Sequence, residues 1–322
     1  MNRQVWVCLF VLVSLTTYTE CGSGNEWGYQ PGIGPSTWHN HYPHCGGSSQ
    51  SPISVNTAKA VLNTNLTTFN FTGYDSINNV RMSMKNNGHS VQIDLMGQLM
   101  TTSGGGLKNT YRAKQFHFHW GSEDKRGSEH DINNHHFPME MHVVHFDSTY
   151  STFDEAVNAT DGVHVLAFLF DVGAVNHHFD EIIQHFYRIA HKDDHVNLTT
   201  FPLAELFPED LKVYYRYHGS LTTPPCSETV IWTIFKETIK ISEDQMVLFQ
   251  LMKFRHNVHR NYANESDRDI SNDFRPPQPL NHRHVYASDP SAIFQPPSSA
   301  AQSLLLNICM LNIMLMFYVL CY

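Results

Sequence analysis

The sequence predicts a single α+β domain dominated by strands, and three observations carry that prediction. Gln115–Trp120 (QFHFHW) and Met139–Val144 (MEMHVV) alternate at a period of two, the pattern of half-buried β-strands. Val163–Phe170 (VHVLAFLF) is almost wholly apolar, as suits a central strand covered on both faces. No repeat or second core pattern interrupts the 322 residues, and 41% of them are hydrophobic, enough for one large core.

The elements follow in chain order. Residues 1–21 have a short basic start and an apolar run from Val5 to Leu15, then small and polar residues. That is the pattern of a secretory leader cleaved near residues 19–22, too short to span a bilayer. Residues 26–60 are rich in Gly, Pro, His and Asn and read as an irregular surface segment. From Phe69 to Thr102, short alternating runs broken by Gly73, Gly88 and Gly97 predict successive antiparallel strands. Ser151–Val157 has the spacing of a capped helix start. Phe179–Ala190 sets Phe179, Ile182, Ile183, Phe186 and Ala190 on one helical face, and Ser242 with Gln245 opens a helix running to about Arg255. The folded domain is expected over residues 22–286, followed by a small, polar, proline-rich spacer over 287–303 and an apolar tail over 304–322. A spacer followed by a terminal tail without basic residues is the pattern of a GPI-attachment signal. Ser288, Ser291 or Ser298 is the candidate attachment residue, and spacer length favours the first two. A tail retained as a peptide anchor is the alternative.

The formal net charge is −9 with both signs interspersed, and no basic patch marks a nucleic-acid partner. Five Asn-x-Ser/Thr sequons, at Asn65, Asn70, Asn158, Asn197 and Asn264, fit a secreted, glycosylated chain.

Chemistry centres on the alternating strands. The period of two puts Gln115, His117 and His119 on one face, and Glu140, His142 and Val144 on one face of the other strand. Two imidazoles on one strand and a third on a neighbour make an open three-histidine pocket. Three neutral imidazoles suit zinc and leave its fourth tetrahedral position to water. Each ligand needs its other ring nitrogen held by an acceptor. Gln115 and Glu140, each two residues before a histidine, stand where that partner would be.

QFHFHWG at 115–121, GSEH at 127–130 and EMHVVH at 140–145 resemble the signature of the α-class carbonic anhydrases, and the likeness extends over roughly residues 26–285. The resemblance implies a large, twisted, mostly antiparallel sheet with short flanking helices. It implies Zn²⁺ on His117, His119 and His142, with carbon dioxide and bicarbonate as substrate and product; the leader and the tail pattern add a place at the outer face of the plasma membrane. Ser220–Pro225 matches the family's substrate loop, which implies that Thr222 accepts the hydrogen bond of the attacking hydroxide and donates one from its own hydroxyl to Glu129. Thr223 is implied as a further contact. Val144, Val165, Leu221, Val230 and Trp232 are implied as the apolar resting place of carbon dioxide. Asn86–His89 matches the proton-shuttle segment, with His89 as shuttle and Tyr29, Asn87 and Gln92 ordering the connecting waters. The resemblance also implies a Cys45–Cys226 disulfide. Two departures stand at the closing landmark: Asp273 where Asn is usual and Phe274 where Trp is usual.

An ectodomain of this family with weak catalysis and a binding or adhesion role is the alternative. A zinc peptidase is disfavoured, since no His-Glu-x-x-His helix occurs.

Overall fold

Ten strands run side by side through a twisted sheet. In chain order they are β1 (Val61–Leu62), β2 (Val80–Asn86), β3 (Val91–Gly97), β4 (Tyr111–Trp120), β5 (Met139–Asp147), β6 (Val163–Val172), β7 (His195–Leu198), β8 (Tyr214–Gly219), β9 (Val230–Phe235) and β10 (Tyr286–Ala287). Their lateral order is β7-β2-β3-β4-β5-β6-β9-β8-β10-β1, and Phe69–Thr72, Thr101–Gly104 and Ile239–Ile241 complete a thirteen-stranded sheet. Pairing is antiparallel except at β6–β9, β10–β1 and where Ile239–Ile241 meets β6. The computed structural model describes residues 27–97, 100–254, 268–269 and 271–294. The leader, the apolar tail, Ser298, Asn264 and Arg255 lie outside them. Among the described residues no helix is long and apolar enough to cross a membrane.

The continuous apolar run became the central strand it resembles. On β6, Leu166, Phe168 and Phe170 join one core cluster while Val163, Val165, Ala167 and Leu169 join another. Alternate side chains therefore feed two cores, one on each face, which is why the run is apolar at every position but His164.

Helices are short. α1 (Phe153–Ala156) begins as its capping residue suggests, with the Thr152 hydroxyl accepting the Glu155 N–H. The helix expected over residues 179–190 is broken. A 3₁₀ turn at His177–Phe179 leads into α2 (Asp180–Ile183), and a second 3₁₀ turn follows at Phe186–Arg188. Phe179, Ile182, Phe186 and Ile189 are the buried residues, while Ala190 is only half-buried. Their spacing of three and four residues is met equally by successive tight turns, in which i and i+3 eclipse. α3 (Glu243–Gln250) opens with a full capping box between Ser242 and Gln245. It stops short of Arg255, because Lys253–Phe254 turns extended and pairs with Arg268–Asp269.

Packing continues past residue 286. Ser288 bonds the Tyr214 and Lys212 backbone, and the Ala292 carbonyl accepts the buried Tyr215 hydroxyl at 2.8 Å. The Ser291 carbonyl, on an exposed residue, accepts Lys236 Nζ at 2.7 Å.

Candidate metal centre

The antiparallel register of β4 and β5 sets His117 opposite His142 and His119 opposite Glu140. All three rings point to one side, with centroids 4.7–5.2 Å apart. One ligand nitrogen from each lies within 4.8 Å of the others. His119 and His142 are 1% exposed, and His117 is half-buried.

A separate acceptor fixes each ring. Gln115 Oε1 accepts the His117 Nδ1–H at 2.9 Å, and Glu140 Oε1 accepts the His142 Nε2–H at 2.6 Å. The His119 Nδ1–H goes to the backbone carbonyl of Asp273 at 2.7 Å. Those bonds leave His117 Nε2, His119 Nε2 and His142 Nδ1 as lone pairs aimed at a common point. Burial pushes His117 well below the ordinary histidine range, reinforced by His119 and His142 and opposed by Glu140. Burial lowers His119 as well, against the pull of Glu129. Both rings are therefore neutral at pH 7, the form that coordinates a metal.

Glu129 closes the arrangement from behind. It is fully buried; Oε1 accepts the Arg275 peptide N–H at 2.9 Å, while Oε2 lacks a hydrogen-bond partner. That oxygen lies 3.4 Å from His119 Nε2, itself buried and unpartnered, and 3.9 Å from His142 Nδ1. Lone pairs facing a buried carboxylate oxygen are mutually unfavourable until a cation stands among them. The donor set thus fits a divalent ion of zinc type. A second cluster, His130, Glu140 and His142, does not fit one. There Glu140 Oε1 already takes His130 and His142, and Oε2 takes the Glu129 and His130 peptide N–H groups, so its lone pairs are spent. Burial pushes Glu140 up, but His130 and His142 outweigh it and hold the carboxylate well below its usual range.

An apolar wall adjoins the tripod. Val165 lies opposite Val144 on one side and Trp232 on the other, and these pack in one cluster with Val230 and Leu221. The Trp232 ring touches His142 at 4.8 Å between centroids and donates its Nε1–H to the Ser220 carbonyl. The loop that follows carries buried Thr222 and half-buried Thr223. It is tied down by reciprocal Ser51–Ser220 bonds and by a Cys45–Cys226 disulfide.

The sequence pattern of eukaryotic-type carbonic anhydrases matches residues 33–289. Carbonic anhydrase 12 of Homo sapiens is 36% identical over 268 residues, covering 83% of this chain and 74% of the relative. Carbonic anhydrase 6 of Bos taurus is 39% identical over 270 residues, covering 82% and 81%. Carbonic anhydrase 4 of Rattus norvegicus is 39% identical over 261 residues, covering 80% of each. The chain belongs to the eukaryotic-type carbonic anhydrase family.

Other features follow this family's pattern less closely. No hydrogen bond joins Thr222 to Glu129, which leaves Glu129 Oε2 open to a donor. Asn87 Nδ2 donates to Gln92 Oε1 at 3.1 Å, and Tyr29 packs edge-on against Trp38. His89 lies flat against Trp27, with centroids 3.7 Å apart and planes 8° from parallel. Burial there, with Lys192 nearby, lowers His89 to about 4, below the near-neutral value that proton export favours. Asp273 leaves the tripod undisturbed. Its Oδ1 accepts the Trp120 N–H, and burial pushes the carboxyl well up, with Glu129 adding to the rise. Phe274 instead carries Arg126 over its ring. Asn65, Asn70, Asn158 and Asn197 are all exposed.

Sequence reasoning missed the third acceptor. The Asp273 carbonyl is a backbone atom 154 positions from His119, and the closing landmark was the only hint of it.

Proposed function

We propose that this chain is a zinc-dependent carbonic anhydrase that reversibly hydrates carbon dioxide to bicarbonate and a proton outside the cell. The observation that carries the reading is the tripod, three imidazoles whose outer nitrogens are all fixed and whose inner lone pairs converge beside an unpartnered carboxylate oxygen. His117, His119 and His142 would hold zinc, with Gln115, Glu140 and the Asp273 carbonyl keeping their tautomers. Zinc bound there acidifies water and so supplies hydroxide at neutral pH. Val144, Val165, Leu221, Val230 and Trp232 offer carbon dioxide an apolar surface and exclude competing water. Thr222 accepts the nucleophile's hydrogen bond and donates its own hydroxyl hydrogen bond to Glu129 Oε2, an oxygen without another partner. An anion with no proton to offer gains nothing from this pair. Thr223 adds a contact to bicarbonate.

Proton export falls to His89 through waters ordered by Tyr29, Asn87 and Gln92. To serve, the ring must leave Trp27 for water, where its pKa returns toward about 6.5. That requirement also favours the second reading, a slower enzyme whose main role is binding.

We place residues 1–21 as leader and 304–322 as a tail exchanged for a lipid anchor. Ser298 suits attachment better than Ser288 or Ser291, both of which are bonded within the fold. Phospholipase release from cells would separate a lipid anchor from a retained peptide.

The functional test is stopped-flow hydration by purified wild type and His119→Ala. Wild type should bind zinc and turn over, and the variant should lose nearly all activity. Full activity in metal-free wild type would overturn the reading.

A further inference from the structure

Gln50 sits where three separate parts of the chain meet. It is 3% exposed, and both ends of its amide are used. Nε2 donates to the Cys226 carbonyl at 3.3 Å and to Glu228 Oε1 at 2.8 Å, while Oε1 accepts Arg275 Nη1 at 2.8 Å. Arg275 reaches back toward the metal centre, since its peptide N–H is the donor that fixes Glu129 Oε1 at 2.9 Å. Its guanidinium also holds the Ser51 and Cys45 carbonyls, both at 2.9 Å. Glu228 in turn accepts the Ser49 N–H at 2.7 Å. The strap is drawn so close that a Cβ on Gly47 would stand 2.2 Å from Glu228 Oε1.

We infer that Gln50 is a positioning residue that holds the Thr222 loop and Glu129 in register with each other. The inference rests on the gate assigned to Thr222 and Glu129 above. One arm of Gln50 grips the loop at Cys226 and Glu228, and the other grips Arg275, whose backbone holds Glu129. Among the described residues, Gln50 is the side chain that hydrogen-bonds both. The disulfide and the Ser51–Ser220 bonds anchor the loop to the same strap, yet neither carries that anchorage through a side chain to Arg275. The chemistry demands an amide, with a donor toward a carbonyl and a carboxylate and an acceptor toward a guanidinium. Methionine fills the space and offers neither. Glutamate keeps the acceptor but sets a carboxylate against Glu228, and moving the amide to position 228 should relieve that clash.

The test compares wild type, Gln50→Met, Gln50→Glu and the exchange Gln50→Glu/Glu228→Gln. For Gln50→Met, kcat/KM should fall about tenfold, and thiocyanate, which has no proton to donate, should inhibit about tenfold more tightly, the scale expected when a supporting contact is lost. Peptide hydrogen exchange should quicken at Leu221, Cys226 and Arg275 while the central strands β4–β6 keep their protection. The exchange should recover part of the loss in kcat/KM and thiocyanate inhibition, since it renews the bond to position 228 but not the one to the Cys226 carbonyl. Wild-type thiocyanate inhibition and exchange rates in Gln50→Met would overturn the inference. So would a loss of protection spread evenly over β4–β6 that the exchange does not repair. Hydrogen exchange needs no turnover, so an inactive wild type would sink the proposed function and still leave the role of Gln50 open to this readout.

Discussion

Replacing Glu140 by Gln keeps the side chain's volume and removes one acceptor site, which makes it the most searching change at this centre. The fully buried carboxylate takes four N–H groups at 2.6–2.9 Å: both imidazole donors on Oε1 and two peptide donors on Oε2. A glutamine oxygen can serve one pair, and its NH₂ then confronts the other. Two buried donors are left without acceptors whichever way the amide turns, at about 1–3 kcal/mol each, so stability should fall by about 2–6 kcal/mol. Against a typical total of about 5–15 kcal/mol, the protein should still fold. If the amide faces His142, its Nε2–H is the donor left stranded, and its lone pair turns from the tripod. Even in the other orientation the negative charge that raises its basicity is gone. Zinc affinity should therefore drop about 10–100-fold, as when outer partners of metal-bound histidines are changed. Competition with a chromophoric chelator measures the affinity, and circular dichroism melts measure the fold. Wild-type zinc affinity in a folded Glu140→Gln protein would refute the claim that this bond sets the His142 ligand.

Three further outcomes are expected. Removing the Cys45–Cys226 disulfide, which spans 181 positions, should cost about 2–5 kcal/mol in a thermal or urea melt; an unchanged midpoint would argue against it as a main tether. Buried His145 is lowered to about 4 by desolvation, and His164 moves the same way. Because the unfolded chain takes up these protons first, stability should be complete above about pH 6.5 and decline as pH falls toward 4, by about 3 kcal/mol from His145 alone; urea midpoints at pH 7.5 and 4.5 should differ, and equal midpoints would contradict the assignment. Trp27→Ala should free His89, raise its pKa from about 4 toward about 6.5 by NMR titration, and quicken buffer-limited turnover; an unmoved pKa would show that the stack is not what holds it down.

How far the site could be read beforehand depends on where each atom's partner lies in the chain. His117, His119 and His142 were legible because a strand returns every second residue to the same face, and Gln115 and Glu140 were legible for the same reason. The third acceptor was not. It is a main-chain oxygen, which any residue supplies, brought to His119 by a segment entering from the far end of the fold. The bond between Gln50 and Arg275 was not legible either, since the two meet across 225 positions. The helix expected over residues 179–190 failed differently. Apolar residues three and four apart describe which side is buried, but not whether the turns between them close at i+3 or i+4. His89 shows the sharpest limit. Its place in a matched segment made it the shuttle candidate, yet whether it can trade protons near neutrality depends on an aromatic ring 62 positions earlier in the sequence lying flat against it. Which side chains share a face can therefore be inferred from periodicity, whereas tautomer and pKa depend on what the second nitrogen and the ring face meet, and only the assembled fold supplies those partners.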